Sequence, residues 1–336
     1  MAPRYYPCLV HDPRKRSASL GRVIGRCAGA LCSLMLVSCS AVTTRDEAAR
    51  LRQNANLIEE VKSFGKTLGI EPTAALRRAA GEAPPLSMLW LWMQREGTLA
   101  LSAPIDIRLA IGFHFEREGP RLEQLYRVDG YSAYYRQGTE FADPRAVATL
   151  GFAEEPIVRR VKVILHEDLH GDVNFALPWE IEEALVTPLG SLAAIEYFRH
   201  KGDERNLANA RRSLLDERTL ARELTAFAAE AEKIFAREPV DQAKQRILDL
   251  LPNFPVYRER FERQTRNQHA ATVVEAKLSH DLAYYRYFDE VLQLAERAPS
   301  LGRLIDDLKH LPQNATATAT TNFLSGLQSK YRTSSP

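Results

Sequence analysis

The chain has 336 residues, with 45 Lys and Arg against 43 Asp and Glu, and 45% of them are hydrophobic. That length and composition suit a folded body of about 300 residues, built as one compact unit or two lobes around a sizeable core. Residues 1–38 carry six basic residues and one acidic residue, so the remainder is slightly acidic and lacks the concentrated basic surface that nucleic-acid binding requires.

In chain order, Arg14, Lys15, Arg16, Arg22 and Arg26 form a basic stretch ahead of an apolar run from Cys27 to Ser38. The run is too short to span a bilayer but suits the core of a signal peptide. It ends in Leu36-Val37-Ser38-Cys39, which looks like a bacterial lipobox. The expectation is a lipoprotein signal peptide over 1–38 and a lipid on Cys39. Ser40 in the next position favours the outer membrane, with the protein facing the periplasm. All four cysteines (Cys8, Cys27, Cys32, Cys39) lie in this region. The rest of the chain therefore has no disulfide, no cysteine nucleophile and no cysteine metal ligand.

An N-terminal helical segment is expected over 39–70, with a helix over 44–66 whose buried stripe includes Ala48, Leu51, Leu57, Val61 and Phe64. Glu82-Ala83-Pro84-Pro85 interrupts the pattern. From Leu86 to Gln137 strand signals dominate. Ile105–Ile111 and Gln124–Val128 alternate, and Asp129-Gly130 predicts a hairpin from Leu122 to Arg136. Beyond Glu155 the pattern is almost wholly helical, including 203–236, 240–250 and 270–297. Residues 313–336, with the Ala/Thr run at 315–320, read as a low-complexity flexible tail. The fold class predicted is α+β: a small antiparallel sheet followed by a mainly helical, zincin-like domain, the whole spanning 71–312.

That domain contains His166-Glu167-Asp168-Leu169-His170, preceded by the apolar run Val163-Ile164-Leu165. On a helix, residues four apart share a face, so both imidazoles can reach one metal ion, and Glu167 can reach a metal-bound water. Acidic residues and Pro156 ahead of the motif suit a helix start, and Gly171 suits its end. A catalytic zinc usually has a third protein ligand. Pro178 and the acids Glu180, Glu182 and Glu183 open the next helix, whose stripe Ile181, Ala184, Leu185, Leu189, Leu192 and Ile195 faces the core. Glu183 lies beside that stripe and Glu180 is its rival by spacing. Acids are also ordinary in a first helical turn.

These segments resemble the predicted aminopeptidase lipoproteins, bacterial envelope proteins with an HELAH-type zinc motif. Thr149–Ile157 is similar to the family's lead-in, His166–His170 to its metal motif, and Glu182–Thr187 to the stretch that holds its third ligand. The resemblance extends over roughly residues 130–310 and includes Tyr131–Arg136 and Leu278–Tyr287. It implies zinc held by His166, His170 and Glu183, with Glu167 as general base. Asp168 stands where the family has an apolar residue and Glu182 where it has asparagine. Ser279 and His280 replace an asparagine pair.

The chemistry expected is peptide hydrolysis, as an aminopeptidase by resemblance. Zinc polarises the scissile carbonyl and lowers the pKa of its water, while Glu167 moves the proton to the leaving amine. His280, Tyr284, Tyr285 and Tyr287 are candidates for stabilising the oxyanion, with His280, Tyr284 and Tyr287 on one helical face. Aromatic packing is the competing role. Glu180 and Glu182 could hold a substrate amine, Asp172 and Asn174 could orient a ligand histidine, and Tyr131–Arg136 could offer an edge strand to an extended peptide. The partners implied are a peptide substrate and, through Cys39, a membrane. The alternative is a zinc-binding envelope lipoprotein that is non-catalytic or directed at cell-wall peptides.

Overall fold

The computed structural model describes residues 45–77, 88–99, 107–112, 129–138, 148–170, 174–266 and 268–333. The signal-peptide stretch, Cys39, Gly171, Asp172 and the first arm of the expected Leu122–Arg136 hairpin lie outside the described residues.

Helix α1 is Arg45–Gly65, followed by a 3-10 turn at Lys66–Leu68. Three strands come next: β1 (Met88–Arg95), β2 (Ile107–Gly112) and β3 (Tyr131–Gly138). They form an antiparallel sheet in the order β2-β1-β3. The described partner of β3 is thus β1, with Trp92 opposite Tyr134 and Leu91 opposite Tyr135. The named elements that follow among the described residues are helices: α2 (Leu150–Glu154), α3 (Ile157–Leu169), α4 (Trp179–Lys201), α5 (Glu204–Phe235), α6 (Val240–Leu250) with a 3-10 turn at Leu251–Asn253, α7 (Pro255–Thr265), α8 (Ala270–Tyr285), α9 (Phe288–Ala295), α10 (Leu301–Leu308) and α11 (Ala317–Thr333). A small antiparallel sheet beside a large helical body makes the chain α+β. Among the described residues no helix is long and apolar enough to cross a membrane.

Helix α4 is the axis of the body. Every residue from Ile181 to Ser191 is buried, as a helix surrounded by other elements requires. It packs against α3 on one side and against α5 and α8 on others, while α8 also lies on β1 and β3. One apolar cluster joins α1, α3, α4 and the C-terminal helices, and a second joins α5 to α9.

The segment 313–336, expected as a flexible tail, instead carries α11. Thr320, Leu324, Leu327 and Tyr331 are buried, a stripe at helical spacing that the Ala/Thr run obscured. Its far end is fixed by Tyr331, whose hydroxyl donates to Asp307 at 2.7 Å, and by Lys330, which reaches the same carboxylate at 3.0 Å. Helix α1 forms over the predicted segment and packs against α3, and its buried side also includes Ile58, Asn54 and Lys62.

Candidate metal centre

Thr149 caps α2 by accepting from the Phe152 amide at 3.0 Å, and the chain then turns at Glu155-Pro156 into α3. Helix α3 runs only to Leu169. His166 lies in its last turn, whereas His170 is the first residue past its end, extended at φ −70°, ψ 157°. The two imidazoles therefore meet through a helix end and a bend rather than through helical rise alone. A parallel bridge from His170 to Phe175 holds that bend.

His166, His170 and Glu183 converge. The Nε2 atoms of the two histidines are 3.2 Å apart, and Oε2 of Glu183 is 3.2 Å from that of His166 and 3.6 Å from that of His170. Ligands at ~2.0–2.1 Å around a tetrahedral zinc lie about 3.3 Å from one another. The triangle has that size, and its corners are acceptor atoms that a proton alone cannot all satisfy. Oε2 of Glu183 is buried with no hydrogen-bond partner among the described residues. Two imidazoles and a carboxylate are also the donor set of many hydrolytic zinc sites. The residues thus fit a divalent metal, and zinc among such metals.

The electrostatics point the same way. Burial opposes charge on His170, but Glu183, Glu182 and Glu167 outweigh it and hold the imidazolium well above its usual range. Burial likewise opposes charge on Glu183, yet the two histidines hold its carboxyl below its ordinary value. The cluster is built to attract positive charge. A metal binding there displaces the His170 proton, so its affinity falls as pH drops.

Glu182 has a role the sequence did not disclose. His170 Nδ1–H donates to Oε1 of Glu182 at 2.6 Å, and the Leu177 amide donates to Oε2 at 3.0 Å. A carboxylate can only accept, so this bond keeps a proton on Nδ1, and when a metal displaces the second proton of the imidazolium it is Nε2 that becomes free to ligate. Glu182 is therefore occupied and does not offer itself to a substrate amine, contrary to the sequence expectation. Glu182→Ala should weaken zinc binding by about 10–100-fold, read by competition with a chromogenic chelator. An unchanged affinity would remove the orienting role.

The approach of α4 to α3 depends on Gly190. A Cβ there would lie 2.9 Å from Cβ of His166 and 3.2 Å from the Lys162 carbonyl oxygen. Only glycine lets the helices meet so closely at the first ligand. Gly190→Ala should cost about 1–3 kcal/mol of stability and also lower zinc affinity, because His166 must shift. Thermal melts and metal titration would show both effects, and a variant unchanged in both would refute the argument.

The other predicted residues divide. Glu167 is buried beside His166 and close enough to act electrostatically on His170. Asp168 points away from the cluster into a buried ion pair with Lys62, and accepts from the Thr73 amide and hydroxyl at 3.0 and 2.9 Å. Asn174 does not touch a ligand histidine. It bonds the Glu71 backbone in both directions and the Asp168 carbonyl, so it braces the end of α3.

His280 and Tyr284 come together with Trp92 and Trp179, while Tyr285 packs against Phe288 in the second apolar cluster. Tyr287 does not share their face, because α8 ends at Tyr285. Its ring is in the main core and its hydroxyl donates to the Ala317 carbonyl at 3.3 Å, which removes it as an oxyanion donor. His280 Nδ1–H donates to Asp281 at 2.9 Å. Burial opposes charge on Asp281, but Lys277, Arg260 and His280 hold its carboxyl far below the usual range.

The expected substrate edge is also partly taken. Oε1 of Gln268 accepts from the Tyr135 amide at 2.9 Å and its Nε2 donates to the Tyr135 carbonyl at 3.0 Å. These are the two bonds an added strand would make at that residue.

No family model matches the chain, and neither does any curated protein or solved structure.

Proposed function

We propose that this protein is a zinc-dependent peptidase of the bacterial envelope, anchored by a lipid on Cys39. The observation that carries the reading is the triangle of His166, His170 and Glu183 beside the buried carboxylate of Glu167. The zincin-like assignment and the membership of the aminopeptidase lipoproteins rest on the motif segments that resemble that family.

Bound zinc would be held by His166, His170 and Glu183, and would supply Lewis acidity and an acidified water. Glu167 accepts the proton of the attacking water and passes it to the departing amine. Glu182 holds His170 in place throughout. His280, whose Nδ1–H donates to Asp281, remains with Tyr284 against it the candidate pair for stabilising the developing oxyanion. For the exopeptidase reading the amine must find an acid, and on α4 that leaves Glu180.

The test is direct. The purified protein should hold one equivalent of zinc and cleave members of a peptide library, with activity removed by a chelator and restored by zinc. Absence of stoichiometric metal would end the reading, and so would a zinc-loaded protein that cuts no peptide.

A further inference from the structure

The metal ligands have an aromatic neighbour that the hydrolytic mechanism does not use. Trp179 opens α4 and precedes Glu183 by four residues, so their side chains stand on one helical face a single turn apart. From Trp179 a closed circuit of rings can be followed. Its centroid lies 5.1 Å from Trp92, Trp92 lies 5.2 Å from His280, His280 5.2 Å from Tyr284, and Tyr284 6.1 Å from Trp179. The four come from β1, α4 and α8, so three elements converge on the same point beside the ligand helix.

Two features separate this group from ordinary core packing. Trp179 and Tyr284 are only half-buried, so the circuit has an open side. Trp92, by contrast, is 4% exposed, and its indole Nε1–H has no acceptor among the described residues. Tryptophan is usually buried only where its N–H finds a partner. A buried donor with no acceptor among the described residues, on a ring that packs against the half-open Trp179, suits a site completed by a ligand oxygen.

We infer that Trp92, Trp179, His280 and Tyr284 form the subsite for an aromatic or large apolar side chain next to the scissile bond, with Trp92 Nε1–H donating to a backbone carbonyl of that residue. The inference rests on the peptidase reading and narrows its substrates to peptides carrying such a residue. Trp179 and Tyr284 supply ring faces for the side chain, and Trp92 rewards only a ligand that brings an acceptor.

Calorimetric titration of the zinc-loaded Glu167→Gln protein with N-acetyl-phenylalanine amide and N-acetyl-alanine amide tests this. The phenylalanine amide should bind about tenfold or more tightly. Trp179→Ala should abolish that preference, and Trp92→Phe, which keeps a ring but removes the donor, should weaken both amides while leaving the preference. Zinc content and thermal melts confirm that each variant is folded and loaded. Trp179 is half-open, so its replacement remains informative even if the Trp92 variant unfolds. Equal binding of the two amides, a preference that survives Trp179→Ala, or a folded Trp92→Phe protein with unchanged affinities would each overturn the subsite. A preference found in a protein that cleaves nothing would support the subsite and refute the peptidase.

Discussion

Glu167→Gln is expected to leave one equivalent of zinc bound and to lower peptide hydrolysis by about 10²–10⁴-fold, the usual contribution of a positioned base. The separation of the two effects follows from the geometry. The three converging atoms belong to His166, His170 and Glu183, and Glu167 is not among them. Glutamine keeps the size and polarity of the side chain but cannot take a proton at neutral pH. Glu183→Ala should do the opposite and release the metal, because it removes a corner of the triangle. Glu180→Ala should leave metal content unchanged. Metal analysis and peptide release, measured on the same preparations, decide the matter. A Glu167→Gln protein with wild-type turnover would remove the base, and metal loss on Glu180→Ala alone would reassign the third ligand.

The parts of this site that could be read in the sequence are the ones set by local spacing. His166 and Glu167 are neighbours on α3, and Glu183 lies one turn into α4, so a helical ruler and the resemblance reached all three. Helical spacing alone does not bring His170 to them. It stands past the helix end, and its ring is aimed by Glu182 across a bend whose shape no periodicity records. Gly190 looked like any helical glycine until α4 was laid against His166. The same limit applies to Tyr287, which stands two residues past the end of α8, so that its ring joins the core and not the His280 face. At the level of the fold, alternation gave β2 and helical stripes gave most helices. Helix α11 is hidden by its Ala/Thr composition, which masks the helical spacing of Thr320, Leu324, Leu327 and Tyr331.

Asp168 is a carboxylate buried on α3, and the structure supplies the compensation. Lys62 of α1 meets it in a fully buried ion pair, both side chains about 1% exposed. Burial lowers the Lys62 pKa while Asp168 raises it, and the first effect is the larger. The ammonium therefore depends on its partner to remain charged. Thr73 supplies two more hydrogen bonds to the same carboxylate oxygen. Removing one member leaves the other buried without its counter-charge, so Lys62→Met should cost about 3–5 kcal/mol. The double variant Lys62→Met, Asp168→Leu should recover most of that loss, because a buried pair replaced by apolar residues of similar volume is often neutral or better. The coupling is measured by a double-mutant cycle in denaturant. Zinc affinity belongs in the same experiment, since Asp168 lies between Glu167 and the end of α3, where the second ligand begins. If the pair only holds α1 to α3, metal binding should return with stability in the double variant. Additive losses would show that Lys62 and Asp168 act separately, and the pairing would then not explain how a carboxylate is tolerated at this buried position.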